Sequence, residues 1–447
     1  MNFSLEYICG GCGGKLSPSA NKNRIINGFF SDSRTPDESK LFLALRGERV
    51  DGNSFVSELL SKGIAVITDR EENLLIGGDC ILVSDVREAL QLFSANYRKD
   101  VLSGTPIIGV TGSVGKTTTK DMIAAALSSE KTVHKTLGNS NSQIGLPQTV
   151  LATPSDIDCA VIELGMSMPG EMERIAACAM PNISVITNIG YSHIENLGSR
   201  EAIRDEKLKI AAFSPKGSVL ILNGDEPLLK NYDYPDNKVI FVSTENDNCD
   251  CFATDVIVSQ SGIDFTAVIF GKEIKVSLAV QGKHYVINSL FALAVAHCLG
   301  ISLDSAANAL SNYKSDGKRQ FVYEKDGHTV ISDCYNASPE SMEAALSVLS
   351  AYNGRRIAVL GDMLELGNES DSLHKRVGRF VKGKADVLFT YGSLAKQIAA
   401  EADGVESYSF EREDAEKLKT FLEAFIKEGD VVLYKASNSM NLGRLIV

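Results

Sequence analysis

The sequence predicts an α/β protein built as three domains, and three observations carry that reading. Short apolar runs of strand length alternate with segments of helical spacing. Such alternation marks a mainly parallel sheet covered on both faces. The rhythm restarts after the turn cluster SGTP at 103–106 and again after Asn312. A chain of 447 residues also suits about three units of ~150 residues. The expected limits are 1–103, 104–312 and 313–447.

In the first domain, LFLAL (41–45) and IAVIT (64–68) read as buried strands. SFVSELLSKG between them reads as a helix stopped by Gly63, which makes a βαβ unit. In the second, PIIGV is a short strand and KTTTKDMIAAAL an Ala-rich helix. CAVIEL, ISVITNI and SVLILN continue the strands, with EMERIAACA and EAIRDEKLKIAAF as helices between them. CFATDVIVSQSGIDFTAVIF alternates apolar and polar residues about Ser261 and Gly262, the pattern of an antiparallel hairpin or sheet edge. HYVINSLFALAVAHCLG is a helix ending at Gly300. In the third domain TVISD, RIAVLGD, DVLFTYG and DVVLYKA are strands with helices between them, a Rossmann-like arrangement.

Hydrophobic residues at 44% and charged residues at 23% are ordinary globular values. A net charge of −12 argues against a nucleic-acid partner, which asks for a basic face. No run approaches ~18 uninterrupted apolar residues, so no membrane-spanning helix is expected. The first residues lack a basic segment followed by an apolar one, so no export signal is expected and the cytoplasm is the expected compartment. The nine cysteines, an odd number, then read as reduced thiols. Cys9 and Cys12 form a C-x-x-C with no second pair or nearby histidine, and are expected in a surface loop rather than a metal site. Cys249 and Cys251 are expected in a polar turn.

The strongest motif is Gly109-Val110-Thr111-Gly112-Ser113-Val114-Gly115-Lys116-Thr117-Thr118, between an apolar strand and a helix. Val110 stands where the strict phosphate-loop pattern has its first glycine, and Gly109 and Gly112 flank it. Gly112, Ser113, Gly115, Lys116, Thr117 and Thr118 are the candidate phosphate contacts. Glycines let backbone N–H groups approach phosphate oxygens, and the helix N-terminus adds positive potential. Lys116 reaches the outer phosphates, and a threonine hydroxyl suits Mg²⁺. Glu163, at the end of the next strand, is a candidate ligand of the same ion.

This loop resembles that of the Mur ligase superfamily, ATP-dependent amide-forming ligases of peptidoglycan precursors. TNIGYSHIENLGS resembles the family's T-N-I-x-x-x-H-x-[DE] segment, with Asn188 and His193 in the matching places. Lys207, fourteen residues after His193, resembles the family lysine that is carbamylated and binds a second Mg²⁺. GKHYVINSLFALAVA resembles the family's G-x-H-N-x-x-N-x-x-A-A helix and retains His284 and Asn288. ISDCYNASPESMEAAL, VLGDMLELGNES followed by His374, and TLGNSNSQIGLPQTVL resemble the branch that adds D-alanyl-D-alanine to UDP-N-acetylmuramoyl-tripeptide. SDSRTPDESKLFLALRGERVDGNSF resembles that branch's uridine-nucleotide module, which implies a UDP-binding first domain. The D-N-P-R segment of the neighbouring tripeptide-forming ligases is absent. Ser142, Gln143, Tyr285, Ser332, Cys334, Ser338, Ala436 and Asn438 depart from the family pattern.

The resemblance implies that the peptide carboxylate takes the γ-phosphate of ATP, and that the amine of the dipeptide then displaces phosphate from the acyl phosphate. Two anions meet in the first step, so positive charge at the γ-phosphate is the main resource. Lys116 and two Mg²⁺ ions are expected to supply it. Thr117 and Glu163 would hold one ion, and His193 and carbamylated Lys207 the other. Arg319 is the expected interdomain arginine at the γ-phosphate. Asn188, His284, Asn288, Asp333 and Tyr335 are expected at ATP. Asp32, Ser33 and Arg34 are expected at the uridine nucleotide, and Asn139, Asn141 and Asn336 at the peptide substrates. A monomer is expected. The alternative within the class is another Mur-type ligase, tripeptide-forming or folylpolyglutamate-like, and DCYNASP and GDMLELG count against both. The other classes are a nucleotide-dependent switch and a non-enzymatic binding module. The first lacks an N-K-x-D guanine motif, since Asn237-Lys238-Val239-Ile240 has no Asp. The second has no need of Glu163, His193 and Lys207.

Overall fold

The computed structural model describes residues 2–447 apart from 48, 232, 235–236, 260 and 315–319. Among the described residues, three large sheets divide the chain in sequence order. The first has five strands, in the order Lys15–Leu16, Cys80–Leu82, Ala65–Thr68, Leu41–Leu43 and Phe29–Phe30. The helical link between Leu41–Leu43 and Ala65–Thr68 leaves those strands parallel, as the βαβ pattern requires. A separate two-stranded ribbon pairs Phe3–Ser4 with Ile25–Ile26.

The second sheet has nine strands. Its parallel part runs from Val133–Lys135 through Cys159–Glu163, Ile107–Thr111, Ile183–Ile186 and Val219–Asn223 to Lys238–Ser243. Cys251–Val258 joins that edge in parallel, then Ile263–Ile269 and Lys272–Leu278 follow as antiparallel strands. The expected hairpin is therefore present and continues into a third strand. The alternating burial of that third strand fits a sheet with one face covered by helix Leu303–Ser311.

The third sheet has six strands, with Phe321–Lys325 antiparallel to His328–Ser332 at one edge. Val431–Lys435, Arg356–Gly361, Val387–Tyr391 and Glu406–Phe410 continue it in parallel. Helix Pro339–Leu349 opens at a Ser338 cap whose hydroxyl and that of Ser341 satisfy each other's backbone N–H.

Helix Val86–Asp100 ties the first domain to the second. It packs on helices Gly145–Ala152 and Glu171–Ala179, and its Leu90 and Phe93 share one apolar cluster with Leu146 and Ile175. Arg98 is 3% exposed and donates to the carbonyls of Ala179 and Leu102 and to Asn182 Oδ1. Tyr97 donates to the Thr153 carbonyl. A buried guanidinium with its donors satisfied makes this seam specific as well as apolar.

The cysteine pair departs from the sequence expectation. Cys9 lies in helix Leu5–Gly11 and Cys12 ends it, and both are buried. Gly11 lets the helix approach Phe93 so closely that an added Cβ would meet the ring at 2.4 Å. The local glycines suggest a loop, whereas they serve a tight helix contact. Cys251 likewise is buried at the start of a strand rather than in a turn, while Cys249 is half-buried. All nine cysteines are free thiols.

Candidate functional site

In the second sheet the phosphate-loop strand Ile107–Thr111 lies between one strand that follows it on each side, the arrangement that opens a crevice at the carboxyl ends of a parallel sheet. Thr111, Glu163 and Thr187 end or follow the three central strands on that edge. In the third sheet Asp333 follows strand His328–Ser332 and Lys435 ends its parallel neighbour Val431–Lys435. The two edges face each other across a cavity of 760 Å³, which Arg87 of the first domain also lines.

The loop between strand and helix is set by its glycines and by the segment after Ile186. Gly112 has φ +152°, and a Cβ there would lie 1.9 Å from Thr187 Oγ1. Gly115, at φ +85°, starts helix Lys116–Leu127. The first-turn N–H groups of that helix have no intrahelical acceptor and face the anion position. Asn188 Oδ1 accepts from the N–H groups of Ser113 (3.0 Å) and Val114 (2.9 Å), and Thr187 Oγ1 donates to the Val114 carbonyl at 2.6 Å. Asn188 thus shapes the loop as well as lining the cavity. Asn288, on helix His284–Cys298, lines the cavity and accepts from Thr119 Oγ1 of helix Lys116–Leu127 at 3.0 Å. The Lys116 ammonium folds over the loop and donates to the Gly112 carbonyl at 2.7 Å.

Beside the loop, Thr117 Oγ1 donates to Glu163 Oε2 at 2.8 Å and Asn141 Nδ2 to Glu163 Oε1 at 2.7 Å. Glu163 is 1% exposed, so a carboxylate sits in the interior with two neutral partners. A buried carboxylate in that state fits a cation. His193 holds φ +65°, a conformation rare outside glycine. Its Nδ1 bonds to Glu365 of the third domain, which leaves Nε2 for a ligand. That bond holds the Glu365 carboxyl below its usual range. Lys207 is 2% exposed, with no ion-pair or hydrogen-bond partner among the described residues. Burial first, and then the charge of Lys116, pull its amine well below the usual lysine range. Among the described residues no three His, Cys, Asp or Glu side chains converge on one point. A metal here would need further ligands, such as Thr117 or a nucleotide, to complete its shell.

On the opposite wall, Lys435 Nζ donates to Asp333 Oδ2 at 2.6 Å and to the Asn336 carbonyl at 2.8 Å. Tyr335 and Asn336 line the cavity beside them. His284 lines it from the second domain, and burial pushes its imidazole down to about 4. Ser113, Gly115, Lys116, Thr118, Glu163, Asn188, His193, Asn288 and Asn141 line the same cavity. Arg319 lies outside the described residues. Asn139 is exposed and does not line the cavity, although Asn141 does. Asp32, Ser33 and Arg34 form a turn away from it, with Asp32 and Arg34 paired to each other at 2.6 Å. Lys435 and Thr187 line the cavity and Glu365 bonds His193, and sequence reasoning passed over all three. Lys435 stands in the quoted YKASNSM segment, so its signal was present there.

Comparison with known proteins gives three family matches in chain order. They are the Mur ligase family catalytic domain at 26–98, the Mur ligase middle domain at 110–296, and the Mur ligase glutamate ligase domain at 318–438. The UDP-N-acetylmuramoyl-tripeptide–D-alanyl-D-alanine ligase of Bacillus subtilis is 40% identical over 97% of this chain and 95% of its own. The ligase of the same name from Escherichia coli is 31% identical over 94% of this chain and 93% of its own. A crystal structure of MurF from Acinetobacter baumannii superposes with TM-score 0.89 at 27% identity, covering 100% of this chain and 98% of that one. MurF ligase from Thermotoga maritima in complex with ADP has TM-score 0.84 at 28% identity, covering 94% and 96%.

Proposed function

The chain belongs to the Mur ligase family, and we propose that it is an ATP-dependent ligase joining D-alanyl-D-alanine to UDP-N-acetylmuramoyl-tripeptide, which yields the pentapeptide precursor of peptidoglycan. The observation that carries this reading is a single cavity in which the phosphate loop of the second domain faces Asp333, Tyr335 and Asn336 of the third.

The tripeptide carboxylate attacks the γ-phosphorus, ADP leaves, and the resulting acyl phosphate is opened by the dipeptide amine. Lys116 and the first-turn N–H groups of its helix neutralise the γ-phosphate as charge builds there. Arg319 adds a cation from the third domain. Gly112, Ser113, Gly115, Thr117 and Thr118 cradle the phosphates, with Asn188 holding that loop in shape and Asn288 bonded to the helix that follows it. His284, Asp333 and Tyr335 bound the nucleotide. Thr117 and Glu163 hold one Mg²⁺. His193 and a carbamate on Lys207 hold a second. Carbamylation replaces an unpaired buried amine with an anionic oxygen ligand, which resolves the isolation of Lys207. Bound Mg²⁺ supplies further neutralisation of the phosphates. Asp32, Ser33 and Arg34 take the uridine nucleotide, and Asn139, Asn141 and Asn336 the peptides.

The domain limits 103/104 and 312/313, action as a monomer and a cytoplasmic location belong to the same reading. No helix among the described residues is long and apolar enough to cross a membrane. The test is phosphate release from ATP on mixing with UDP-muramoyl-tripeptide and D-Ala-D-Ala. Release that needs all three, with a product heavier by the dipeptide less water, is the expected result. Release that ignores the dipeptide, or none at all, would remove this assignment.

A further inference from the structure

Glu340, the second residue of helix Pro339–Leu349, lines the cavity and has no role in the account so far. Its carboxyl lies flat on Gly190. A Cβ added at Gly190 would stand 2.9 Å from the Glu340 Cδ and from both of its oxygens. The Gly190 N–H donates to Ser113 Oγ at 2.8 Å, so the carboxyl sits one backbone step from the phosphate loop. Its Oε2 is buried without a hydrogen-bond partner. The two guanidiniums nearby are committed elsewhere. Arg376 grips Glu343 through two bonds of 2.7 and 2.8 Å, and Arg200 holds Glu226 through two bonds of 3.0 Å. Glu340 makes no ion pair among the described residues.

The residue is half-buried and its carboxyl also meets its own backbone N–H and Ser338, but a carboxylate with one buried oxygen left over and no ion pair suits a cation. The nucleotide, the uridine diphosphate and the peptide carboxylate are all anions, which Glu340 repels. Two organic cations come with the substrates, the side-chain ammonium of the tripeptide's diamino acid and the ammonium of the dipeptide, and only the second reacts. That group must also lose a proton before it can attack. Resting on the ligase reading above, we propose that Glu340 binds the incoming ammonium and takes its proton, acting as the general base of the second half-reaction. The proton passes from –NH₃⁺ to the carboxylate, giving –NH₂ and the neutral acid. The nitrogen lone pair forms the C–N bond at the acyl carbon, and the C–O bond to phosphate breaks with its electron pair. The second nitrogen proton leaves with phosphate as HPO₄²⁻, and Glu340 returns its proton to solvent. Burial raises the carboxyl's affinity for a proton, which suits this task. The third domain thereby carries the acceptor's receptor, while the second carries the phosphate loop.

Glu340→Gln keeps the shape and removes the charge. Two readouts separate the half-reactions: acyl phosphate trapped by hydroxylamine as a hydroxamate, with ATP and UDP-muramoyl-tripeptide only, and kcat/KM for D-Ala-D-Ala in the full reaction. The proposal expects hydroxamate within about threefold of wild type and a fall of ~10²-fold or more in kcat/KM for the dipeptide. Retained hydroxamate formation also shows that the variant is folded. A dipeptide kcat/KM within threefold of wild type would overturn the role. So would an equal loss of hydroxamate, which would place Glu340 in the ATP half-reaction or in folding. Failure of wild-type enzyme to form the pentapeptide would instead remove the ligase reading itself.

Discussion

Lys116 and Lys207 are close enough for the charge of one to depress the proton affinity of the other, yet they have opposite surroundings. Lys116 rests on loop carbonyls that phosphate can replace as its partners. Lys207 has no such exchange available. Lys116→Ala should keep a wild-type melting temperature, because no core packing is lost, and should cut turnover by ~10²-fold or more. A coupled ADP assay beside a thermal melt checks both halves. If Lys207 carries the proposed carbamate, Lys207→Ala should lose most activity, and millimolar formate or acetate should restore part of it by supplying a carboxylate in its place. Turnover near wild type without additive would return Lys207 to the role of a plain helix lysine. Both lysines were singled out in the sequence by local signals: a glycine-rich loop for one, and for the other the resemblance of the segment fourteen residues after His193 to a family motif. The Asp333–Lys435 pair was legible only in half. Its members are 102 positions apart and meet because two strands are parallel neighbours.

Among the elements, helix His284–Cys298 lies across the antiparallel extension of the second sheet and brings His284 to the cavity. Its imidazole is held near 4 against an unfolded value of about 6.5. Between these values the unfolded chain binds the proton and the folded one does not. The stabilisation is therefore complete above about 6.5 and is lost as pH falls toward 4. The melting temperature should drop between pH 7 and 4.5, and His284→Gln should show a smaller drop over the same interval. Equal drops would remove His284 as the cause. The strands and helices of the second domain were legible because period and length agree there. Helices Lys116–Leu127 and Glu171–Ala179 match the segments read from the sequence. Edge strands such as Phe321–Lys325 and Glu406–Phe410 were not, because their exposed positions break the apolar run. The Cys9–Cys12 turn failed for a different reason. Its burial comes from helix Val86–Asp100, some eighty residues later.

At the scale of the whole molecule, the two walls of the cavity belong to different domains. Their contacts outside the apolar core include His193 with Glu365 and Gln320 with the Gln281 carbonyl. Single polar contacts of this kind across a cavity can break and re-form, which opening and closing requires. A non-hydrolysable ATP analogue with UDP-muramoyl-tripeptide should lower the radius of gyration measured by small-angle scattering. An unchanged radius would count against closure. The other junction is different in kind. The seam formed by Tyr97 and Arg98 is buried and fully hydrogen-bonded, so the first and second domains keep one separation. A fixed separation works as a gauge. A substrate anchored by its nucleotide at one jaw presents its free end at a distance set by how many residues it carries. Removing one extended residue withdraws that end by about 3.5 Å. UDP-muramoyl-dipeptide should therefore bind with little loss of affinity yet form almost no acyl phosphate. Its rejection would come from length alone, without any side chain having been inspected.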